Sequence, residues 1–329
     1  MKKCMFFLSL WSVVFCAIYI PSVNKHFDNE LPPTLYEFLA HFDVQNKHEI
    51  HAIVKEIYPK WVREKGRELW QMPKFYVDNE VKLRRLLNEL GLVDAILPKK
   101  SSYKYAVIIG GALPRIRNRI EYLAKLYKQG VRFKEIVVIC CTRKLDPVYE
   151  PKKELLFPKN CSLPIKYHAI WHFPTQENEL ITLLFQMHEL PPGMDLVPLK
   201  IVKTELLKES DGSILRPDVH STAKQWVETH PKPGSVLLIS SQPFCYFQHA
   251  ILKEILPSSF EIETVGDHAL DYGIEIYLDS IARWLYELSK SKRHFYFRSM
   301  GIRAFLSFTT KIEPTQISNT PIIAIKSRI

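Results

Sequence analysis

An α/β fold, with helices covering both faces of a mostly parallel sheet, is what three stretches of the sequence predict. The first is Tyr105–Ile109, a continuous apolar run that ends in Gly110-Gly111 and leads into a basic helix start at Arg115. The second is Glu135–Cys141, another apolar run about 25 residues further on, with Ile116, Ile120, Leu123, Ala124 and Tyr127 at helical spacing between the two. Together they make one βαβ unit. The third is Ser235–Ser241, equally apolar and flanked by helical patterns. Strands that do not alternate polar with apolar residues are buried on both faces, which is the mark of a parallel sheet between two helical layers. The architecture expected is a Rossmann-like three-layer sandwich, preceded by an N-terminal hydrophobic helix and a small helical preface.

Composition fits a globular chain: 329 residues, 47% hydrophobic and 24% charged. The formal net charge of +10 favours anionic partners. No run of Lys or Arg exceeds two residues, and no helix-turn-helix, zinc finger or RNP-like pattern accompanies the charge, so no nucleic-acid partner is expected. Lys2 and Lys3 precede Cys4–Ile20, 17 residues without a charge, closed by Pro21. As a helix this segment would span roughly 25 Å, a little short of a hydrocarbon core of about 30 Å. It lacks a convincing small-x-small cleavage site, so residues 1–21 read as an uncleaved anchor, with a cleaved signal peptide as the alternative. Either way the globular part is expected on the non-cytoplasmic side, membrane-tethered or secreted.

Of six cysteines, Cys4 and Cys16 lie in that segment. Cys140 and Cys141 are consecutive in a strand, point to opposite faces and read as small buried hydrophobes. One disulfide among Cys140 or Cys141, Cys161 and Cys245 stays open in an exported domain, and without C-x-x-C no zinc ribbon is expected.

Residues 22–101 form the preface. Leu35, Phe38, Leu39 and Phe42 make one helical stripe; Ile50, Ile53, Val54 and Ile57 make another, stopped by Pro59; a continuation as helix is expected from Trp61 to Trp70. Asp78 or Asn79 caps a helix carrying Leu83, Leu86, Leu87 and Leu90, with Gly91 at its C-terminus. The main domain covers 102–292. Lys144–Pro164 is an irregular crossing, Ile165–Trp171 the next strand, and Pro174-Thr175 opens a helix with Leu180, Leu183, Leu184 and Met187 that Pro191 to Gly193 ends. Leu196–Val202 is a strand candidate, Asp211-Gly212 a turn, and Asp218 caps a helix with Val219, Ala223, Trp226 and Val227 inward. After Ser235–Ser241 a helix has Phe247, Ala250, Ile251 and Ile255 on one side. Glu261–Val265 is a further strand, and Ile274, Leu278, Ile281, Leu285 and Leu288 mark the last helix. Residues 293–329 are a basic, aromatic extension, read as an edge hairpin or a tail along a membrane.

Ligands of open parallel sheets bind beyond the carboxyl ends of the strands. There the chain places Gly110 and Gly111; Thr142, Arg143 and Asp146; His172 and Thr175; and Ser240, Ser241 and Gln242. Gly110-Gly111 lets a ligand approach the backbone at a helix N-terminus, where the dipole favours an anion. Arg115 and Arg119, four apart, share a face suited to phosphate or carboxylate. Neither the G-x-G-x-x-G fingerprint nor a Walker lysine is present. Thr175 reads as an N-cap with Glu177 and Glu179 in the first turn; alternatively Glu177 faces the crevice and is the candidate catalytic base. Ser240 and Ser241 match no serine-nucleophile signature and read as a polar rim. No metal site is expected: His48, His51, His168 and His172 lack a ligand set, while His249 lies off the apolar stripe of its helix, near the crevice.

The sequence resembles the SanA/ElyC/YdcF-type envelope proteins over about residues 104–265. The likeness rests on the strand ending in Gly110-Gly111 with an arginine soon after, the Thr175-Gln-Glu177 helix start, Ser221-Thr222, and the Val236–His249 strand, turn and helix. The matching positions are Gly110, Gly111, Arg115, Glu177, Ser241 and Gln242. Ala112 stands where that family has a third glycine, and Lys224 and Gln225 where it has acidic and Asn residues. The resemblance implies a Rossmann-like domain on an N-terminal anchor, a role in envelope integrity, and S-adenosylmethionine or another nucleotide-like ligand. The expectation is thus a tethered protein that binds a small anionic or nucleotide-like ligand in envelope maintenance. A transferase acting on an envelope glycan or lipid carrier, and a non-catalytic interaction module, are the alternatives.

Overall fold

A computed structural model describes residues 31–45, 49–166, 172–208, 210 and 212–290. The apolar segment Cys4–Ile20, His48, His168, Asp211, most of the expected strand Ile165–Trp171 and the extension 293–329 lie outside the described residues.

The preface supplies α1 (Pro33–His41), α2 (Ile50–Trp61) and α3 (Glu80–Glu89). Pro33 opens α1, where a missing N–H costs nothing. Pro59 does not stop α2, which runs two residues beyond it. The expected continuation from Trp61 to Trp70 is not helical; only a short 3₁₀ turn forms, at Leu69–Gln71. Gly91, at φ +71°, takes the left-handed position after α3 that a side chain would strain.

The main sheet is built from β1 (Ser102–Ile109), β2 (Arg132–Cys141), β3 (Leu199–Thr204), β6 (Ser235–Ser241) and β7 (Glu261–Asp267) in the order β3-β2-β1-β6-β7. All four pairings are parallel. A small antiparallel hairpin, β4 (Leu207–Lys208) with β5 (Ile214–Leu215), stands apart from it. The strand order grows one way from β1 through β3 and the other way from β6 through β7, so the topological switch point lies between β1 and β6.

Helices fill both faces. On one side α4 (Leu113–Lys128) and α6 (Glu177–Met187) cover Ala106, Ile108, Val138, Leu237 and Ile239. On the other, α7 (Val219–Glu228), α8 (Cys245–Ile255), a last helix α9 over 274–290 and the preface cover Tyr105, Val107, Ile109, Val137 and Leu238. The chain is an α/β three-layer sandwich of Rossmann-like topology. A short helix α5 (Lys152–Leu156) interrupts the irregular crossing.

Three local expectations change. Ile165 makes only an isolated antiparallel bridge to His188, and the strand beside β2 is Leu199–Thr204. The N-cap of α6 is Gln176, in a capping box with Glu179, because Glu179 takes the Thr175 and Gln176 amides. α8 is buried nearly all round, since α9 and the preface cover the side that a two-layer packing would leave wet. Cys140, Cys141, Cys161 and Cys245 are free thiols. Among the described residues no helix is long and apolar enough to cross a membrane.

Candidate functional site

The chain leaves β1 at Ile109 and enters α4 at Leu113, and the bend between them sits at the switch point. At Gly110 a Cβ would collide with Glu177 Oε1 and come within 2.8 Å of Cys140 Cβ, so glycine is required there for room. At Gly111 a Cβ would meet Arg119 Nη1 at 3.6 Å and Arg115 Nε at 3.9 Å. The two arginines that helical spacing paired therefore converge on the same bend.

Arg119 is 1% exposed. Its guanidinium donates to the carbonyls of Ile109 and Gly110 and, at 3.4 Å, to Ser241 Oγ, so it bridges the ends of β1 and β6. Burial, reinforced by the neighbouring Arg115 charge, lowers it to about 10. Arg115 is half-buried, with its guanidinium 5.4 Å from the centre of the Phe244 ring. Burial lowers it as well. Among the described residues neither arginine has a carboxylate partner.

Beside them lies a buried charge network. Arg143 holds Glu150 with two bonds, at 2.7 and 2.8 Å, reaches Glu177 at 2.7 Å, and donates to the Gly111 carbonyl. Glu150 also accepts the amides of Leu113 and Asp146. Burial alone would raise the Glu150 carboxyl, but Arg143 and those amides outweigh it and hold it below its usual range. Glu177, 1% exposed, accepts from Arg216 at 3.1 Å on the same oxygen, Oε2, that Arg143 holds, and Arg216 in turn holds Glu68 of the preface at 2.7 Å. Cys141 Sγ stands 3.6 Å from Glu177, and burial next to that carboxylate pushes its thiol up to about 11, which makes it a poor nucleophile at neutral pH.

Preface and loops roof the rim. Trp70 stacks on Tyr149 with ring centres 4.1 Å apart and donates to Asp146, and Tyr272 packs edge-on against Phe244. A cavity of about 170 Å³, lined by Trp61, Arg63, Met72, Phe75 and Leu278, opens between the preface and α9. Its charges are already matched, Arg63 with Asp279 and Arg67 with Glu64, so it offers less to a ligand than the rim does.

The expected site residues divide. Gly110, Gly111, Arg115, Arg119, Glu177 and Ser241 come together at the switch point. Thr142 donates to Glu205, and Thr175 is exposed and spent on Glu179. Ser240 is fully buried against Gln248, at 2.6 Å. Gln242, also fully buried, turns away to the carbonyls of Gly91 and Asp94 and ties the preface to the sheet. His249 is not near the solvent side of the crevice: it is buried, bonded to Thr264, and lowered by burial to about 4. The only cluster of metal-ligand type among the described residues, His220, Glu254 and Glu287, already has the Lys290 ammonium 2.9 Å from Glu287. Glu150, Arg216 and Glu68 were not legible as site residues. Glu150 sits in a Pro- and Lys-rich crossing, while Arg216 reaches Glu177, and Glu68 reaches Arg216, from distant loops; the one usable signal was that Arg143 lies just after a buried strand. Set against known protein families, characterised proteins and solved structures, the chain matches none.

Proposed function

We propose that this protein binds a small anionic ligand at the switch point between β1 and β6. One observation carries the reading: Arg115 and Arg119 converge on Gly111, and among the described residues no carboxylate neutralises them. A buried guanidinium with only carbonyl and hydroxyl partners is costly, and an anion seated beside it lowers that cost. The apolar segment Cys4–Ile20 supports placing this binding function on the outer side of a membrane, and the resemblance to envelope proteins supports a role in envelope maintenance with a nucleotide-like ligand.

A transferase using Glu177 as base is less well supported, because Arg143 and Arg216 both hold that carboxylate. The test is native mass spectrometry of the full chain purified in detergent, beside its Arg115→Ala variant. A small anion carried by the first and missing from the second is the expected result; an empty parent protein that also fails to take up any added anion would refute the reading.

A further inference from the structure

Resting on that reading, we infer that the ligand presents a single phosphoryl group, as in a phosphate monoester, and not a pyrophosphate. The first ground is which polar groups at the bend lack partners. Arg119 Nε is buried without one, and so is the Tyr272 hydroxyl. Tyr272 and Arg115 pack on the same Phe244 ring, with the ring centres 5.9 Å apart and the guanidinium 5.4 Å from the Phe244 centre. Among the described residues the Arg115 guanidinium has no hydrogen-bond or ion partner and packs on the Phe244 ring. These are donor groups from three residues, two on α4 and one on the loop before α9, so they approach from different directions. A carboxylate offers two coplanar oxygens, whereas a phosphoryl group offers three that are not coplanar with its phosphorus. The acids nearby are already charge-paired: Glu150 and Glu177 with Arg143, and Glu68 and Glu177 with Arg216. The orphan Gln242 carbonyl oxygen belongs to an amide turned toward the preface. A ligand with cationic ammonium and sulfonium groups, such as S-adenosylmethionine, finds no free acid beside Arg115.

The second ground is independent. In sheets of this topology a pyrophosphate rests on the first turn of the helix after β1, held by backbone amides and the helix dipole. Here that place is filled. Glu150 accepts the Leu113 amide at 2.8 Å, and Arg143 clamps the same carboxylate through both of its oxygens. One phosphoryl group calls only on Arg115 and Arg119; a second along the helix axis would meet the fixed Glu150 charge.

Calorimetric titration of the full chain in detergent with glycerol 3-phosphate, pyrophosphate and S-adenosylmethionine tests this. The monoester is expected to bind at least tenfold more tightly than pyrophosphate, and Arg115→Ala to weaken it at least tenfold. Glu150→Gln is expected to narrow the gap between monoester and pyrophosphate, though the comparison in the parent protein decides by itself if that variant does not fold. Pyrophosphate bound as tightly as the monoester, or S-adenosylmethionine bound in an Arg115-dependent way with no phosphate affinity, would overturn the inference and leave the anion site standing. No binding of any of the three would remove both.

Discussion

Glu150 accepts the Leu113 amide at 2.8 Å, so the first turn of α4 is closed by an anion that the chain itself supplies. The same carboxylate neutralises the buried Arg143. Replacing it with alanine leaves a guanidinium with one acid in place of two and an orphan helix amide. Breaking a buried pair from one side costs roughly 3–5 kcal/mol. Urea unfolding of Glu150→Ala should show a loss of that order, and Glu150→Gln, which retains an acceptor oxygen, a smaller one. Equal stability of all three proteins would mean that the network is not buried in solution.

The two glycines of the bend separate stability from binding. Gly110→Ala puts a methyl group into Glu177 and Cys140, and overpacking of this kind costs about 1–3 kcal/mol. At Gly111 the nearest atoms stand at 3.6 Å or more, an ordinary contact, so Gly111→Ala should fold normally. The methyl group would instead cover the two guanidinium groups. Thermal denaturation should distinguish the first variant from the parent and not the second, while anion titration should show lost affinity in the second.

Two buried imidazoles make stability depend on pH. Burial lowers His249 and His188 to about 4 each, with Lys253 and Arg117 as second causes. An unfolded histidine titrates near 6.5, so between those values the unfolded chain binds more protons than the folded one, and stability rises with pH. Their contribution is fully present above about pH 6.5 and is lost as the pH falls toward 4, on the order of 3 kcal/mol apiece. Unfolding free energies measured across that window should fall as the pH is lowered, and less steeply in His249→Gln. An unchanged slope in the variant would count against this assignment.

Gln242 is expected to act on stability alone. Its amide nitrogen serves the carbonyls of Gly91 and Asp94 at 2.7 and 2.9 Å. Gln242→Ala strips both, and the buried Gly91 carbonyl left unpaired costs about 1–3 kcal/mol. Chemical denaturation should register that loss. Anion affinity of the folded fraction should stay within a factor of two of the parent; a larger drop would return Gln242 to the binding site.

The layers of the sandwich were legible because continuous apolar strands and helical spacing are properties of short segments. Ser235–Ser241 appears with its expected bounds, and Asp218 caps α7 as its position required. Arg115 and Arg119 were legible as a pair for the same reason. What escaped depends on tertiary partners. α2 runs past Pro59, although the proline leaves the Lys55 carbonyl without its helical donor, because Trp61 is buried against Phe38 and Phe42, and His249 faces Thr264 across a layer that no single helix reveals. The expected role of Gln242 was overturned by the preface, which approaches it from 148 to 151 residues away in sequence.

The preface also ties back to α9 at the far end of the described chain: the Arg63 amide and guanidinium both donate to Asp279, 216 residues later. During synthesis at about 5–20 residues per second, the first three helices wait on the order of 10–40 s for that partner to leave the ribosome. Leu35, Phe38, Ile53 and Ile57, all sealed in the finished protein, stay without their final cover over that interval. Nascent chains stalled before Asp279 should therefore be the forms of this protein that chaperones capture.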